Sequence, residues 1–418
     1  MRSIELFSGA GGLAIGLHLA GFSHQLLVES DNHAFDTLLN NSQNEAIPGI
    51  SNWRILNQRV ENTDFADYLN IDLLAAGIPC QPFSNGGKRK GLEDERNMFP
   101  TFAKALATVR PKAFLLENVS GLAGGELRSQ MAYVHRQLAF PSHLPRSGQT
   151  WEQHSVELER LLQVDAVNHD EAYQVVYQTL NTADYGVPQL RKRVFLVGFR
   201  RDLQVEWGFP SGTHTKDALL HEQWVTGEYW KRHGIRRSRK TQPSQSCINR
   251  IEQLELGDDT RPWRTVRDAI GDLSRPSRTK SPVANSQHVR IPGARVYAGH
   301  TGSMLDHPAK TIKAGVHGVP GGENMVAIRN GSVRYFTVRE CARIQTFPDS
   351  WAFCGDWSPV TKQLGNAVAI SLGRILAGSI RIALVQHECG GVYPQVHHGP
   401  PSNQDLVNLR QISPKSNV

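Results

Sequence analysis

Cys80 stands between two prolines in Gly77-Ile78-Pro79-Cys80-Gln81-Pro82-Phe83-Ser84. Each proline fixes its own φ and biases the residue before it towards extended geometry. The preceding run, Ile71-Asp72-Leu73-Leu74-Ala75-Ala76, reads as a buried strand. The spacing therefore predicts a thiol just past a strand end, at the carboxyl edge where open α/β sheets place their chemistry. Among side chains a thiolate is the soft nucleophile. A cysteine kept only for packing belongs inside the apolar run. An isolated Pro-Cys is more often structural, so the residues that accompany this one carry the case.

Glu117 is the second candidate. It closes the apolar run Ala113-Phe114-Leu115-Leu116, and a carboxyl group at a buried strand end is poised for acid–base work. Arg191 and Arg193 alternate at the start of the strand Val194–Gly198, which turns both to one side of an extended segment. Two guanidinium groups there can clamp a base carbonyl and a phosphate. A glycine-rich turn, Ser8-Gly9-Ala10-Gly11-Gly12, joins the strand Ser3–Phe7 to a helix over 13–20. It meets the looser dinucleotide pattern that allows alanine at the last position, and by itself means a nucleotide-like ligand or a tight turn. Glu29 ends the second strand, Gln25–Val28, where an acid can take ribose hydroxyls. Asp64 offers an acceptor for an adenine amino group, with Phe65 beside it. After Cys80, glycines flank Lys88-Arg89-Lys90 in a stretch, Ser84 to Gly91, suited to closing over a phosphate backbone.

The elements that must hold these residues follow from periodicity. Met98–Val109 predicts an amphipathic helix stopped by Arg110-Pro111, and 173–177 predicts a strand. Residues 155–164 suit a short helix inside an elaboration of about 124–172. From 202 to 333 the chain turns polar and rich in Gly, Pro, Ser and Arg, which predicts a second, smaller domain with little regular helix. There Tyr229, Trp224 and Trp230 adjoin a basic run over 231–240, a combination suited to nucleic acid. Thr337 and Glu340 form a capping-box pattern, and a final helix opens at 363 and runs to about Val385. The expected division is thus 1–201 for a first domain, 202–333 for the second, a return over 334–385, and a disordered tail over 386–418.

Composition narrows the class. The 418 residues carry a net charge of +7, which favours a polyanionic partner. Five cysteines without a CxxC pair point to no metal and no disulfide framework, and fit a reducing cytoplasm. No apolar run approaches the roughly 20 residues of a membrane span, and the first strand leaves no room for a signal peptide.

Six blocks occur in order: Glu5-Leu6-Phe7-Ser8-Gly9-Ala10-Gly11-Gly12, Pro79–Ser84, Glu117-Asn118-Val119, Gln189-Leu190-Arg191-Lys192-Arg193, Arg339–Gln345 and Gln363-Leu364-Gly365-Asn366-Ala367-Val368. In these the chain resembles the prokaryotic DNA (cytosine-5)-methyltransferases of restriction-modification systems, from Ile4 to about Val385. The resemblance implies an α/β, Rossmann-like S-adenosylmethionine-dependent methyltransferase sheet with a second, smaller, irregular target-recognition domain. It implies Cys80 as the nucleophile on cytosine C6, Glu117 at N3, Arg193 at O2 and Arg191 in the same pocket. It implies a pocket for S-adenosylmethionine, leaving as S-adenosylhomocysteine, from Phe7, Gly9, Gly11, Gly12, Glu29, Asp64, Phe65, Pro79, Asn366 and Val368. DNA contacts would come from Ser84, Lys88, Arg89 and Lys90. The partners implied are double-stranded DNA, with the target base flipped out, and a cognate restriction endonuclease that works alongside without binding. A monomer in the cytoplasm, associated with the nucleoid through DNA, completes that expectation. Gly86 stands where some relatives carry a side chain that helps fill the vacated space.

Three other functions compete. A tRNA cytosine-C5 methyltransferase is disfavoured by the length of 202–333. A DNA-binding regulator on an inactive scaffold is disfavoured by Cys80, Glu117 and Arg193 standing together. An NAD-dependent oxidoreductase explains the glycine turn and Glu29 but none of the later blocks.

Overall fold

The computed structural model describes residues 1–79, 92, 94, 96–163, 171–236, 242–277, 287–315, 323–328 and 331–389. In chain order these form β1 (Arg2–Leu6), α1 (Gly12–Leu19), β2 (Ser23–Glu29), α2 (Asn32–Gln43), β3 (Ile55–Asn57), β4 (Leu73–Gly77), α3 (Phe99–Val109), β5 (Ala113–Val119), α4 (Arg128–Ala139), α5 (Trp151–Leu162), β6 (Tyr173–Asn181) and β7 (Lys192–Arg200). There follow β8 (His214–Thr215), α6 (Lys216–His221), α7 (Glu228–Arg232), α8 (Gln245–Glu252), β9 (Arg261–Pro262), α9 (Val266–Ile270), β10 (Met325–Ala327), β11 (Val333–Tyr335), α10 (Val338–Ile344), α11 (Trp357–Asn366) and α12 (Ile370–Glu388).

Seven strands make one sheet in the order β3-β2-β1-β4-β5-β7-β6. β1 pairs in parallel with both β2 and β4, β2 with β3, and β4 with β5; β7 runs antiparallel to β5. The central strands are almost wholly buried; β4 and most of β5 are the continuous apolar runs that a sheet covered on both faces requires, while β1 also buries Ser3 and Glu5. The order reverses at β1, whose neighbours leave to opposite sides. In open α/β sheets that reversal opens a crevice at the carboxyl ends of the strands.

Two compact units divide the chain. The first takes Met1–Leu180, Lys192–Pro210 and, among the described residues, those from Ser350 to Cys389; the second takes Asn181–Arg191 and Ser211–Asp349. These divisions differ from the 202 and 334 drawn on sequence texture. The Gln189-Leu190-Arg191 segment and α10 go with the second unit because their polar side chains are satisfied there. Gln189 Nε2 donates to Gln345 Oε1 at 3.0 Å, and Arg343 pairs with Asp272 and Asp349 at 2.6 and 2.5 Å.

In the first unit, α1 and α12 lie backbone to backbone. A Cβ on Gly16 would stand 2.9 Å from Arg374 N and 2.9 Å from the Gly373 carbonyl carbon. The expected final helix is two helices, α11 and α12, separated at Ala367–Ala369, whose backbone is extended at Ala367 and Ala369. Residues Trp357–Glu388 reach the length and mean hydropathy of a membrane span, but charged residues such as Arg374 and Arg381 interrupt them, so no unbroken apolar run of that length occurs. More than half of that window is buried within the protein, as befits helices of a core.

The second unit carries more helix than its composition suggested. Its helices α6, α7 and α8 enclose an apolar cluster of Leu219, Leu220, Trp224, Tyr229, Trp230, Ile248 and Ile251. Trp224, Tyr229 and Trp230 are therefore core residues, and the expectation that they interleave with basic residues on a nucleic-acid surface is corrected. Of that basic run, Arg232 pairs with Glu222 and Asp268 and lies over the Tyr229 ring. The capping box of Thr337 and Glu340 forms as predicted, and Glu340 also holds Arg334 at 2.6 Å.

Candidate active site

Strand register brings the candidate residues of the first unit to one edge of the sheet. Gly77, the last residue of β4, pairs with Glu117 near the end of β5. Because β7 is antiparallel to β5, its beginning lies at the same edge. Glu117 faces Phe195, and Val119 faces Arg193. Opposed residues on neighbouring strands share a face, so Arg193 reaches back along β5. Its Nε donates to Glu117 Oε1 at 2.8 Å, with Glu117 buried and the Arg193 side chain 17% exposed. A Cβ on Gly77 would stand 3.8 Å from Glu117 Oε2 and 4.0 Å from the Phe7 carbonyl oxygen. The ends of β1, β4, β5 and β7 thus converge, and the chain leaves β4 through Gly77-Ile78-Pro79 directly towards position 80.

Asn118 fixes that exit. Fully buried, it donates from Nδ2 to the Ile78 carbonyl at 3.4 Å, while its Oδ1 accepts from the Val119 N–H at 2.8 Å. The sequence marked Asn118 only as part of a block. Its signal was an amide following four buried apolar residues and an acid, where a side chain must find partners.

The glycine turn is a second convergence. Phe7 has φ 55, Gly9 φ 54 and Gly11 φ 89. A Cβ on Gly11 would meet Leu38 at 2.9 Å and Trp351 at 3.0 Å, whereas one on Gly9 would meet nothing. Gly11 is thus required by packing, and the space over Gly9 is open. Gly12 begins α1. Glu29 caps the turn: its Oε2 accepts from Gly9 N at 2.6 Å, and its Oε1 from Ser30 N at 2.8 Å and Asp31 N at 2.7 Å. Burial pushes its carboxyl up, against the pull of the three N–H donors. Glu5, not singled out by the sequence as a chemical group, is wholly buried one strand inward, with Oε2 unpartnered and its carboxyl pushed well up by burial.

Asp64 is exposed and accepts from Ala66 N at 3.0 Å, while Phe65 is buried in the core. Both line a cavity of about 590 Å³ against α3. Pro79 and Asn366 are exposed, and Val368 is buried in the break before α12. These features fit an adenosine-bearing ligand: open space over a glycine turn, a strand-end acid and a cavity with an acceptor on its wall.

Arg191 differs from its expected place beside Arg193. It belongs to the second unit, is 2% exposed, and donates from Nη1 to the Ile312 carbonyl at 3.1 Å. Gln189 Oε1 accepts from Ile312 N at 2.8 Å, so two residues of one block hold a single backbone segment. Cys80, Ser84, Lys88, Arg89 and Lys90 lie outside the described residues. Among the described residues no group of His, Cys, Asp and Glu is disposed to hold a metal ion.

The chain matches the family described as C-5 cytosine-specific DNA methylase over residues 1–139 and 154–381. It belongs to that family. As a C5 methylase it is a DNA (cytosine-5)-methyltransferase that draws its methyl group from S-adenosylmethionine, and the seven-stranded sheet is the family's α/β fold. Among its relatives, the type II methyltransferase M.Eco47II of Escherichia coli is 30% identical over 388 residues, covering 90% of this chain and 78% of that relative. M.PspPI of Psychrobacter is 29% identical over the same shares. The fold is also that of the S. pombe Dnmt2 methyltransferase, with a TM-score of 0.53 at 16% identity, covering 93% of this chain and 99% of that one.

Proposed function

We propose that this methylase is sequence-specific, acts on a cytosine flipped out of double-stranded DNA, and protects DNA within a restriction-modification pair. The observation that carries the reading is the Arg193–Glu117 pair at the strand edge from which Pro79 leads to Cys80. The type II methyltransferases among its relatives support the restriction-modification setting.

Cytosine C5 is a weak nucleophile within an aromatic ring. Addition of the Cys80 thiolate to C6 breaks aromaticity and makes C5 carbanion-like. Charge builds on the ring during that attack. Glu117, taking up a proton from solvent as its contact with Arg193 opens, donates to N3, and Arg193 donates to O2; both groups are held in place beforehand, as electrostatic stabilisation requires. S-adenosylmethionine supplies an electrophilic methyl group, which C5 accepts. Removal of the C5 proton then expels Cys80 as thiolate and restores the ring. Phe7, Gly9, Gly11, Gly12, Glu29, Asp64, Phe65, Pro79, Asn366 and Val368 are assigned to the donor's pocket. Arg191 is assigned a positioning role, since it is buried and its Nη1 donates to the Ile312 carbonyl. Flipping costs about a few kcal/mol, offset by DNA contacts from Ser84, Lys88, Arg89 and Lys90. The second unit reads the sequence, and the protein works in the cytoplasm as a monomer.

The test uses duplex DNA carrying 5-fluorocytosine at the methylated site, with methyl donor present. Wild type should form a covalent adduct stable to denaturation, and Cys80→Ser should form none. Undiminished methyl transfer by Cys80→Ala would remove the thiol from the mechanism.

A further inference from the structure

The cavity beside Asp64 and Phe65 has a wall that the family pattern does not supply. Leu144 and Pro145 line it, together with Lys104 of α3. Both belong to residues 140–153, the one interruption in the family match. Leu144 is 47% exposed, an apolar side chain on a polar loop. With Pro100, these two residues also line a second cavity of about 30 Å³ against α4. The loop is therefore a partition, bounded on one side by a cavity of ligand size and backed on the other by a small void.

We infer that Leu144 and Pro145 form the outer wall of the donor's adenine pocket, and that this loop, which lies outside the family match, sets donor affinity and the tolerance for groups on the adenine amino nitrogen. The inference rests on the proposed role of Asp64 as acceptor for that amino group. An adenine whose amino group points at Asp64 lies within the mouth of the 590 Å³ space. Its outer edge then faces Leu144, an apolar surface that gains by covering a ring. Because the loop is backed by void, shortening Leu144 widens the pocket without disturbing the core.

Binding of S-adenosylhomocysteine and of its N6-benzyl analogue to the full-length protein tests this. Leu144→Ala should weaken S-adenosylhomocysteine about 5- to 10-fold, the effect of losing one apolar contact of this size. It should also raise the relative affinity for the N6-benzyl analogue by a similar factor. KM for DNA and the unfolding midpoint should stay unchanged. Leu144→Trp should shift the analogue ratio the other way. A purely structural loop would leave the analogue ratio unmoved in both variants, and that result overturns the inference. Asp64→Ala separates the two layers. If it weakens S-adenosylhomocysteine while Leu144→Ala does not, only the wall is wrong; if it has no effect, the adenine placement itself fails.

Discussion

Arg193 Nε and Glu117 Oε1 meet at 2.8 Å across antiparallel strands, two residues offset from the register pair of Val119 and Arg193, with both side chains largely shielded from water. Each is the other's counter-ion, and in the proposed mechanism both turn to the pyrimidine. Arg193→Ala should lower kcat by about 10²–10³-fold, the usual loss when one preorganised donor is removed. Arg193→Lys should recover little, because an ammonium lacks the planar fork. Methyl transfer from labelled donor measures this, and unchanged S-adenosylhomocysteine binding separates it from collapse of the sheet.

Asn118 ties the end of β5 to the Ile78 carbonyl, two residues before Cys80. Asn118→Ala leaves that carbonyl and the Val119 N–H without their partner. A loss of roughly 1–3 kcal/mol in unfolding free energy is expected. The loosened strand exit should also lower kcat more than KM for DNA. An Asn118→Ala enzyme of full activity and stability would show that the exit is fixed by other contacts.

Gly16 and Gly373 let α1 and α12 touch. Gly16→Ala places a methyl 2.9 Å from backbone atoms, and should cost roughly 1–3 kcal/mol as the helices part. Gly373→Ala meets first the Leu13 Cδ1, at 3.3 Å, a side chain that can turn. It should cost less. Urea denaturation of the two variants gives the order.

His24 and Glu5 should give opposite pH slopes. Burial lowers the His24 ring to about 4, from 6.5, with its nitrogens bonded to Ser3 Oγ and the Ala14 carbonyl. The unfolded chain therefore takes up a proton first. Stability held above pH 6.5 is lost as pH falls towards 4, by about 3 kcal/mol at the 1.4 kcal/mol that each pKa unit represents. Glu5 is raised well above 4.5 by burial, so the folded state keeps a proton that the unfolded chain releases. Its contribution is intact below pH 4.5 and is lost as pH rises towards the folded value. His24→Gln should flatten the acid limb of a plot of unfolding midpoint against pH. Glu5→Gln should gain on wild type progressively above pH 4.5. Parallel curves for Glu5→Gln and wild type would show that the carboxyl does not titrate on folding.

Local pattern was enough for much of this. Buried strands such as Leu73–Gly77 are runs of apolar residues, helix α3 stops where Arg110 precedes a proline, and the Thr337–Glu340 cap is four residues long. Each is set by neighbours in the chain, so each could be read there. The aromatic trio of the second unit could not, because Trp224, Tyr229 and Trp230 look the same whether they face bases or one another.

From its sequence alone the protein is fixed as an ordered series of chemical blocks on an α/β frame, with thiol, carboxyl and guanidinium groups at strand ends. Tertiary structure decided which of those groups meet. Arg191 and Arg193 stand two residues apart, yet the first is sealed in the second unit against Ile312 and the second pairs with Glu117. Proximity in the chain says where a side chain starts, whereas burial and strand register, which depend on residues far away in sequence, determine where it ends.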